Sequence, residues 1–409
     1  MVNINKLVVS ISLAGKEIDL GELVRDNTKI YFKYYPGFID AGLNVSPFRL
    51  PLSEQIFSVD TDMFDGLFGL FNDSLPDGWG RLLLDRTLTA RGKSINQIAP
   101  LDRLAYIGAG GMGALIYRPQ IELEGNTNPQ LELDAIAEKM KYALEGTSAE
   151  VIEELYKLGG SSGGARPKIF ANYNPIKDQL LHGVEEAGKG YEPWIIKFPS
   201  SSDPPDIANI EYAYYKMAID AGIEMSPSKL FTGKSGKQYF GTKRFDRQGN
   251  NRLHMHSASG LMHDNFRQSN MDYGHLMDCA FKLENHVRAY EKIFRLAAFN
   301  VYAHNRDDHS KNFAFLMDHK GHWKFSPAFD LTFSSSSHGW QSTMVAGESQ
   351  APGRKHLMEL AETFSLNKAN GIITQVQDVL KNWQDYASKC NVKKNSTKQI
   401  AGEIKRISD

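Results

Sequence analysis

The sequence predicts an α+β fold, β-rich at the start of the chain and helical at its end. Three observations carry this. The first 60 residues hold short β-branched and aromatic runs broken at Gly and Asn, the middle mixes strands with an amphipathic helix, and helical periodicity dominates from residue 270 onward. No regular βαβ alternation occurs, and no repeat recurs at a solenoid period.

The elements follow in order. LVVSISL (7–13) and IYFKYY (30–35) read as strands. Asp77-Gly78 marks a turn, and the segment from Trp79 to Ala90 reads as a helix. LDRLAYIGAGGMGALIY is helix, glycine-rich turn and strand, and residues 119–133, with Pro, Gly, Asn and Glu, read as a linker. Ile136, Met140, Leu144, Ile152 and Leu155 give residues 134–158 helical periodicity. GGSSGGARPKIFANY is a loop opening into a strand, and WIIKF is a short buried strand. IANIEYAYYKMAIDAGI is an amphipathic helix packing through Ile210, Tyr214, Met217 and Ala218. KLFTGKSGKQYFGTKRFDR makes two strands around a Gly-Ser turn, and FAFLMD pairs with WKFSPAFD, a strand that Asp330 ends. The lysine-rich C-terminal tail reads as a solvated helix, and Trp79 as a packing anchor between domains.

Composition bounds the function. The 409 residues are 41% hydrophobic and 23% charged, ample for a buried core, and a net charge of −1 supplies no global basic field for nucleic acid or anionic lipid. The N-terminus lacks the apolar stretch of a secretory signal, and no window approaches the roughly 18 apolar residues of a membrane span. Cys279 and Cys390 form no CxxC pair and read as reduced, buried thiols. A cytoplasmic protein with no membrane partner is expected.

Four stretches carry chemistry. GGSSGGARPK (159–168) exposes backbone N–H groups and admits close approach of phosphate oxygens, although GxxxxGK[ST] is absent. Lys197 ends an apolar strand some 30 residues later, the order in which protein kinases place a glycine loop and a phosphate-holding lysine. In RDDHSKN, Asp307 precedes Asn312 by five residues, the spacing of the kinase catalytic loop, with Lys311 placed to neutralise a transferring phosphoryl group. Asp330 follows Asn312 by 18 residues, much as a magnesium-binding aspartate follows that loop, although the Gly of DFG is replaced by Leu331. Asn312 and Asp330 are the hard oxygen ligands that Mg²⁺ prefers.

These stretches, with LPDGWGR (75–81), KRFDR (243–247) and AFDLTF (328–333), make the chain resemble the HipA-type serine/threonine kinase toxins of bacterial type II toxin–antitoxin modules. The resemblance implies an atypical protein-kinase-like fold: a β-rich N-terminal domain (1–120), an N-lobe-like part (134–260) and a helical C-lobe-like part (261–409). It implies Asp307 as catalytic base, and Asn312 and Asp330 as magnesium ligands. Around ATP it implies Lys197 and Lys311, the loop Gly163, Gly164, Ala165, Arg166, Pro167 and Lys168, a hinge of Lys243, Arg244 and Phe245, and His309 beside the nucleotide. Pro167, without an N–H, limits what that loop donates. Ser161 or Ser162 would be autophosphorylated, repelling incoming phosphates. The implied substrate is translation-related, of the aminoacyl-tRNA synthetase class. The implied partner is a small helix-turn-helix antitoxin of the HipB type, with DNA reached only through it.

Two other readings compete: a catalytically silent pseudokinase in a repressor complex, and a metal-dependent phosphohydrolase using His304, Asp308 and His309 with His254 and His256. Intact Asp307, Asn312, Asp330 and Lys197 argue against the first, and the histidine spacing against the second. Glu211 reads as an exposed helix charge, with pairing to Lys197 as the alternative.

Overall fold

The computed structural model describes residues 4–59, 61, 63–122, 130–146, 148–159, 163–183, 188–335 and 339–408. The chain forms two units. Unit 1 is Met1–Ser202, Phe231–His256 and Leu316–His322; unit 2 is Asp203–Leu230, Ser257–Phe315 and Trp323–Asp409.

Unit 1 begins with an antiparallel sheet ordered Phe57–Ser58, Lys29–Tyr34, Lys16–Asp26, Lys6–Leu13, Leu115–Arg118. Alternation in KLVVSISL buries Leu7, Val9, Ile11 and Leu13 on one face, as a period of two requires. A Cβ on Gly21 would stand 2.3 Å from the Lys33 carbonyl, so the crossing of these strands admits only glycine.

A second antiparallel set runs Gln179–His182, Lys168–Asn174, Glu192–Lys197, Gln238–Lys243. Its core joins Ile169 and Ile196 of the strands to Trp79, Leu83, Ile136 and Leu155 of the helices. Trp79, expected as an anchor between domains, is buried in a core that lies wholly within unit 1. The helix expected over 134–158 is two helices, Leu133–Glu145 and Ala149–Gly159, because Gly146 turns the chain at φ +96°. Leu144 consequently faces solvent, and Ala143 is buried in its stead.

A buried charge cluster fixes the KRFDR stretch. Asp246 accepts from Arg244 Nη2 at 2.8 Å, Arg247 Nη1 at 2.6 Å and the Gly113 N–H at 2.8 Å. Arg247 also donates to the Gly113 carbonyl, and Arg252 to that of Ala109. The arginines therefore satisfy the carbonyls of Ala109, Gly111 and Gly113 in the glycine-rich turn of residues 108–113. Burial pushes the Asp246 carboxyl upward, but the two guanidiniums and the Gly113 N–H outweigh it and hold it far below the usual range.

Unit 2 is mainly helical. In Ile207–Asp220, Ile210, Tyr214, Met217 and Ala218 are buried as expected, and the Tyr214 hydroxyl donates to the Ala303 carbonyl at 2.6 Å. Glu211 departs from expectation. It lies on the packed side of this helix and is only 3% exposed. The C-terminal helix Lys394–Ser408 departs too, since Ile400 and Ile404 are buried and Trp383 Nε1 donates to the Thr397 carbonyl at 2.9 Å. It is docked, its lysines masking an apolar stripe. Cys279 and Cys390 are separate buried thiols. Among the described residues no helix is long and apolar enough to cross a membrane.

Removing Asp246 leaves two buried guanidiniums without their acceptor. Asp246→Ala is expected to cost about 3–5 kcal/mol in urea unfolding followed by tryptophan fluorescence. A loss under about 1 kcal/mol would show that the cluster does not hold unit 1 together.

Candidate active site

The helix Arg288–Tyr302 delivers the chain into the loop RDDHSKN. Its buried Ile293, Leu296, Ala297 and Val301 give that loop a rigid approach. Two adjacent aspartates then diverge completely. The Asp307 side chain is 60% exposed, whereas Asp308 is 1% exposed. Asp308 accepts from the Tyr273 hydroxyl at 2.6 Å and from the N–H groups of Ser342 and Thr343 at 3.0 and 3.2 Å. Burial pushes its carboxyl up to about 7, a rise that these donors limit.

Asn312 closes the loop by donating from Nδ2 to the Asp307 carbonyl at 2.7 Å, which turns its Oδ1 the other way. His309 Nε2 lies 3.9 Å from Asp307 Oδ1. The His309 ring packs 5.1 Å from that of Phe266, and Lys311 Nζ lies 5.0 Å from the same ring. Ser310 Oγ donates to Asp264 at 2.5 Å.

Asp330 is not at a strand end. The strand stops at Phe325, and Asp330 stands five residues on, half-buried and left-handed at φ +57°. Its segment is pinned on both sides: the Ala328 N–H donates to the Glu224 carbonyl at 2.8 Å, and Ser334 exchanges bonds with His304 and Arg306 at 3.0 and 3.1 Å. A left-handed aspartate held between two anchors is the kind of strain found at functional sites. His304, also at positive φ, stacks on Phe333 and lies 3.3 Å from Glu403 of the C-terminal helix.

Unit 1 carries the glycine loop. Ser161 and Ser162 lie outside the described residues. The Gly164 N–H donates to Asp77, its carbonyl accepts from the Trp79 N–H at 3.3 Å, and Lys168 Nζ donates to the Gly163 carbonyl at 2.5 Å. Asp77 precedes the helix Gly78–Ala90 in the N-cap position yet caps none of its N–H groups. Its carboxylate serves the loop instead. Gly78 is required there, since a Cβ would stand 2.6 Å from the Ala165 Cα. Gly163, Gly164, Ala165, Arg166 and Pro167 then lead into the strand beginning at Lys168, and the Pro167 carbonyl accepts from the Phe198 N–H at 2.8 Å.

Lys197 faces Lys168 on the neighbouring strand, and its Nζ lies 5.5 Å from the Phe240 ring. Lys243 Nζ pairs with Glu192 at 2.8 Å. The Arg244 guanidinium is committed to Asp246 and stacks 4.3 Å from the Phe170 ring, while its N–H donates to the Pro193 carbonyl at 2.9 Å. Phe245 follows, half-buried.

The HipA-like C-terminal domain model matches residues 160–383, and the HipA N-terminal domain model matches residues 11–118. The chain belongs to the HipA family. HipA of the Shewanella oneidensis toxin–antitoxin system, solved with HipB and operator DNA, superposes with a TM-score of 0.68 over 97% of both chains. At 17% identity this shows the shared HipA fold, with a β-rich N-terminal region and a mostly helical C-terminal part. A Haemophilus influenzae protein named "Putative kinase" is 27% identical over 203 residues, which is 46% of this chain and 57% of that protein.

Two of the histidines proposed for a metal-dependent hydrolase, His254 and His256, are engaged elsewhere. His254 Nε2 lies 2.9 Å from the Val45 carbonyl, and burial lowers its ring to about 3, so it stays neutral. Ser46, His256 and Asp73 form a chain of 3.1 and 2.6 Å contacts in the order of a nucleophile relay. Ser46 is 1% exposed, however, which makes this an internal tie rather than a site. Among the described residues no group of three or more His, Cys, Asp or Glu side chains is arranged to hold a metal ion.

Sequence reading missed Asp77, which it took as half of a turn signal; its spacing before a tryptophan-led helix was the available clue. It also missed Tyr273 and Thr343, which no local motif marks.

Asp308 gives a pH signature. Its ordinary value is 3.8 and its folded value about 7, so between them the folded chain keeps a proton that the unfolded chain has released. The stability it contributes is full below about pH 4 and is lost as pH rises through about 7. In thermal melts from about pH 5 to 8, Asp308→Asn should flatten the decline relative to wild type. An unchanged slope would mean that Asp308 stays ionised throughout.

Proposed function

We propose that this HipA-family chain is an ATP-dependent protein serine/threonine kinase, the toxin of a toxin–antitoxin module. The observation that carries this is the loop in which Asp307 projects to solvent while its own carbonyl orients Asn312. An exposed carboxylate accepts the proton of an incoming hydroxyl. The hydroxyl oxygen forms a bond to the γ-phosphorus of ATP, the bond to the bridging oxygen breaks, ADP leaves, and the proton passes to Asp307.

The donors suit magnesium. Asn312 Oδ1 and the Asp330 carboxylate are hard oxygens, and phosphate oxygens complete such a set. When bound, the ion neutralises charge developing on the phosphates. The chain's own groups do the rest. Asn312 is held by Asp307, Asp330 is pinned between two backbone anchors, and Lys311 brings a positive charge four residues from the base.

In unit 1, Lys197, Lys168 and the backbone of residues 163–166 bind phosphates, while Pro167 donates nothing. Lys243, Arg244 and Phe245 flank the adenine. Because the Arg244 side chain and N–H are already used, its contribution is limited to the carbonyl. His309 lies beside the nucleotide, and Ser161 or Ser162 is the autophosphorylated residue. The parts 1–120, 134–260 and 261–409 act as the N-terminal, N-lobe-like and C-lobe-like domains.

Family membership supports a translation-related substrate, an aminoacyl-tRNA synthetase. The Shewanella relative's complex with HipB and operator DNA supports a helix-turn-helix antitoxin partner; in this reading DNA is reached through that partner and the protein acts in the cytoplasm.

Mass spectrometry of the purified protein after incubation with Mg-ATP tests this reading. A phosphate on Ser161 or Ser162 is expected in wild type, with transfer reduced by about 10²-fold or more in Asp307→Asn. No phosphate in either protein, together with no ATP binding, would support the silent pseudokinase instead.

A further inference from the structure

Backbone anchoring is unusually dense on either side of Asp307. The Arg306 carbonyl accepts from both the N–H and the hydroxyl of Ser342, at 3.1 and 2.7 Å. The Asp308 carbonyl accepts from Thr343 Oγ1 at 2.5 Å, and its carboxylate takes the donors already described. Gln341 Nε2 donates to the Asn305 carbonyl at 2.7 Å. Three consecutive residues, Gln341, Ser342 and Thr343, thus bind the carbonyls of Asn305, Arg306 and Asp308, on either side of Asp307.

The same segment is tied at its far end. The Met344 N–H donates to the Met271 carbonyl and the Tyr273 N–H to the Met344 carbonyl, each at 2.9 Å. Tyr273 opens the helix Tyr273–Glu284, and its hydroxyl donates to Asp308 while accepting from Asn300 Nδ2 at 2.8 Å. Asn300 Oδ1 in turn accepts from Asn305 Nδ2 at 2.9 Å. Tyr273, Asn300, Asn305, Asp308 and Thr343 are all buried. A buried polar network of this kind is rigid because a member can leave only by stranding its partner.

We propose that Asp308, Tyr273 and Thr343 are positioning residues that hold the backbone of Asp307 for proton acceptance. They never touch substrate. Fixing residues 306 and 308 leaves the base only its side-chain rotation. The donors to Asp308 come from two elements, Tyr273 before it and Ser342 with Thr343 after it, each more than 30 residues away in sequence, so the loop backbone is tied to both. The inference rests on the kinase reading for its activity readout, and has a second readout that does not.

The test uses the full chain and four variants: Tyr273→Phe, Thr343→Val, Asp308→Asn and the double variant Tyr273→Phe with Asp308→Asn. Tyr273→Phe keeps the ring, which packs edge-on against Phe313 at 5.7 Å, and so preserves the fold should Asp308→Asn lose it. Expected are a fall in kcat of about tenfold for Tyr273→Phe and Thr343→Val, and about 10²-fold for Asp308→Asn. Binding of a non-hydrolysable ATP analogue stays within about twofold of wild type. The double variant should be no slower than Asp308→Asn, because both act through one network.

Amide hydrogen exchange at residues 305–309 is followed in parallel and should quicken in Tyr273→Phe. Unchanged kcat in an active wild-type background overturns the proposal. So does a parallel loss of analogue binding and kcat, which marks general damage. If the wild type transfers no phosphate, the kinase reading fails; the proposal then stands or falls on the exchange alone, and unchanged exchange in Tyr273→Phe overturns it.

Discussion

A carboxylate taken out of water must be given donors, and that demand at Asp308 organises the centre of unit 2. With its neighbour exposed, the loop backbone is obliged to pass through the protein surface between the two aspartates. The segment 341–343, the start of the helix at Tyr273 and the end of the helix Arg288–Tyr302 all converge to meet the buried one. The chemical character of Asp307 follows from this division. Its side chain is 60% exposed while its neighbour supplies the anchoring.

Unit 1 is built on the same logic with other residues. Asp246 gathers two arginines and a glycine N–H, and the same arginines in turn donate to the carbonyls of Gly111 and Gly113 in the glycine-rich turn. Asp77 passes over its own helix to hold the Gly164 N–H. In each unit an acidic side chain far away in sequence holds irregular backbone that sheets and helices cannot satisfy. That explains why LPDGWGR and KRFDR accompany the loops even though their charged side chains are largely committed to backbone and to one another.

Much of this was legible in the sequence where the signal is local. Period two along residues 7–13 and the apolar face of Ile207–Asp220 appear in the structure as read, and the Asp307–Asn312 spacing marks a loop that the Asn312 amide indeed closes. What was not legible depends on partners distant in sequence. Glu211 looks like a surface charge by periodicity, and the C-terminal helix like a solvated tail, because neither burying surface is encoded nearby. The break at Gly146 is a single residue inside an otherwise regular pattern. The strand assigned up to Asp330 stops early because Ala328 pairs with residues 224–225 instead, and apolar content cannot reveal that. Tyr273 and Thr343 are ordinary core-type residues until Asp308 lies beside them.

The central claim is the division of labour between two adjacent aspartates, and a crystal structure with Mg²⁺ and a non-hydrolysable ATP analogue tests it most directly. The account predicts Asp307 turned toward the γ-phosphate, the metal on Asn312 and Asp330, and Asp308 still bonded to Tyr273. Asp308 released from Tyr273 and bound to metal or nucleotide, with Asp307 turned away, would contradict it.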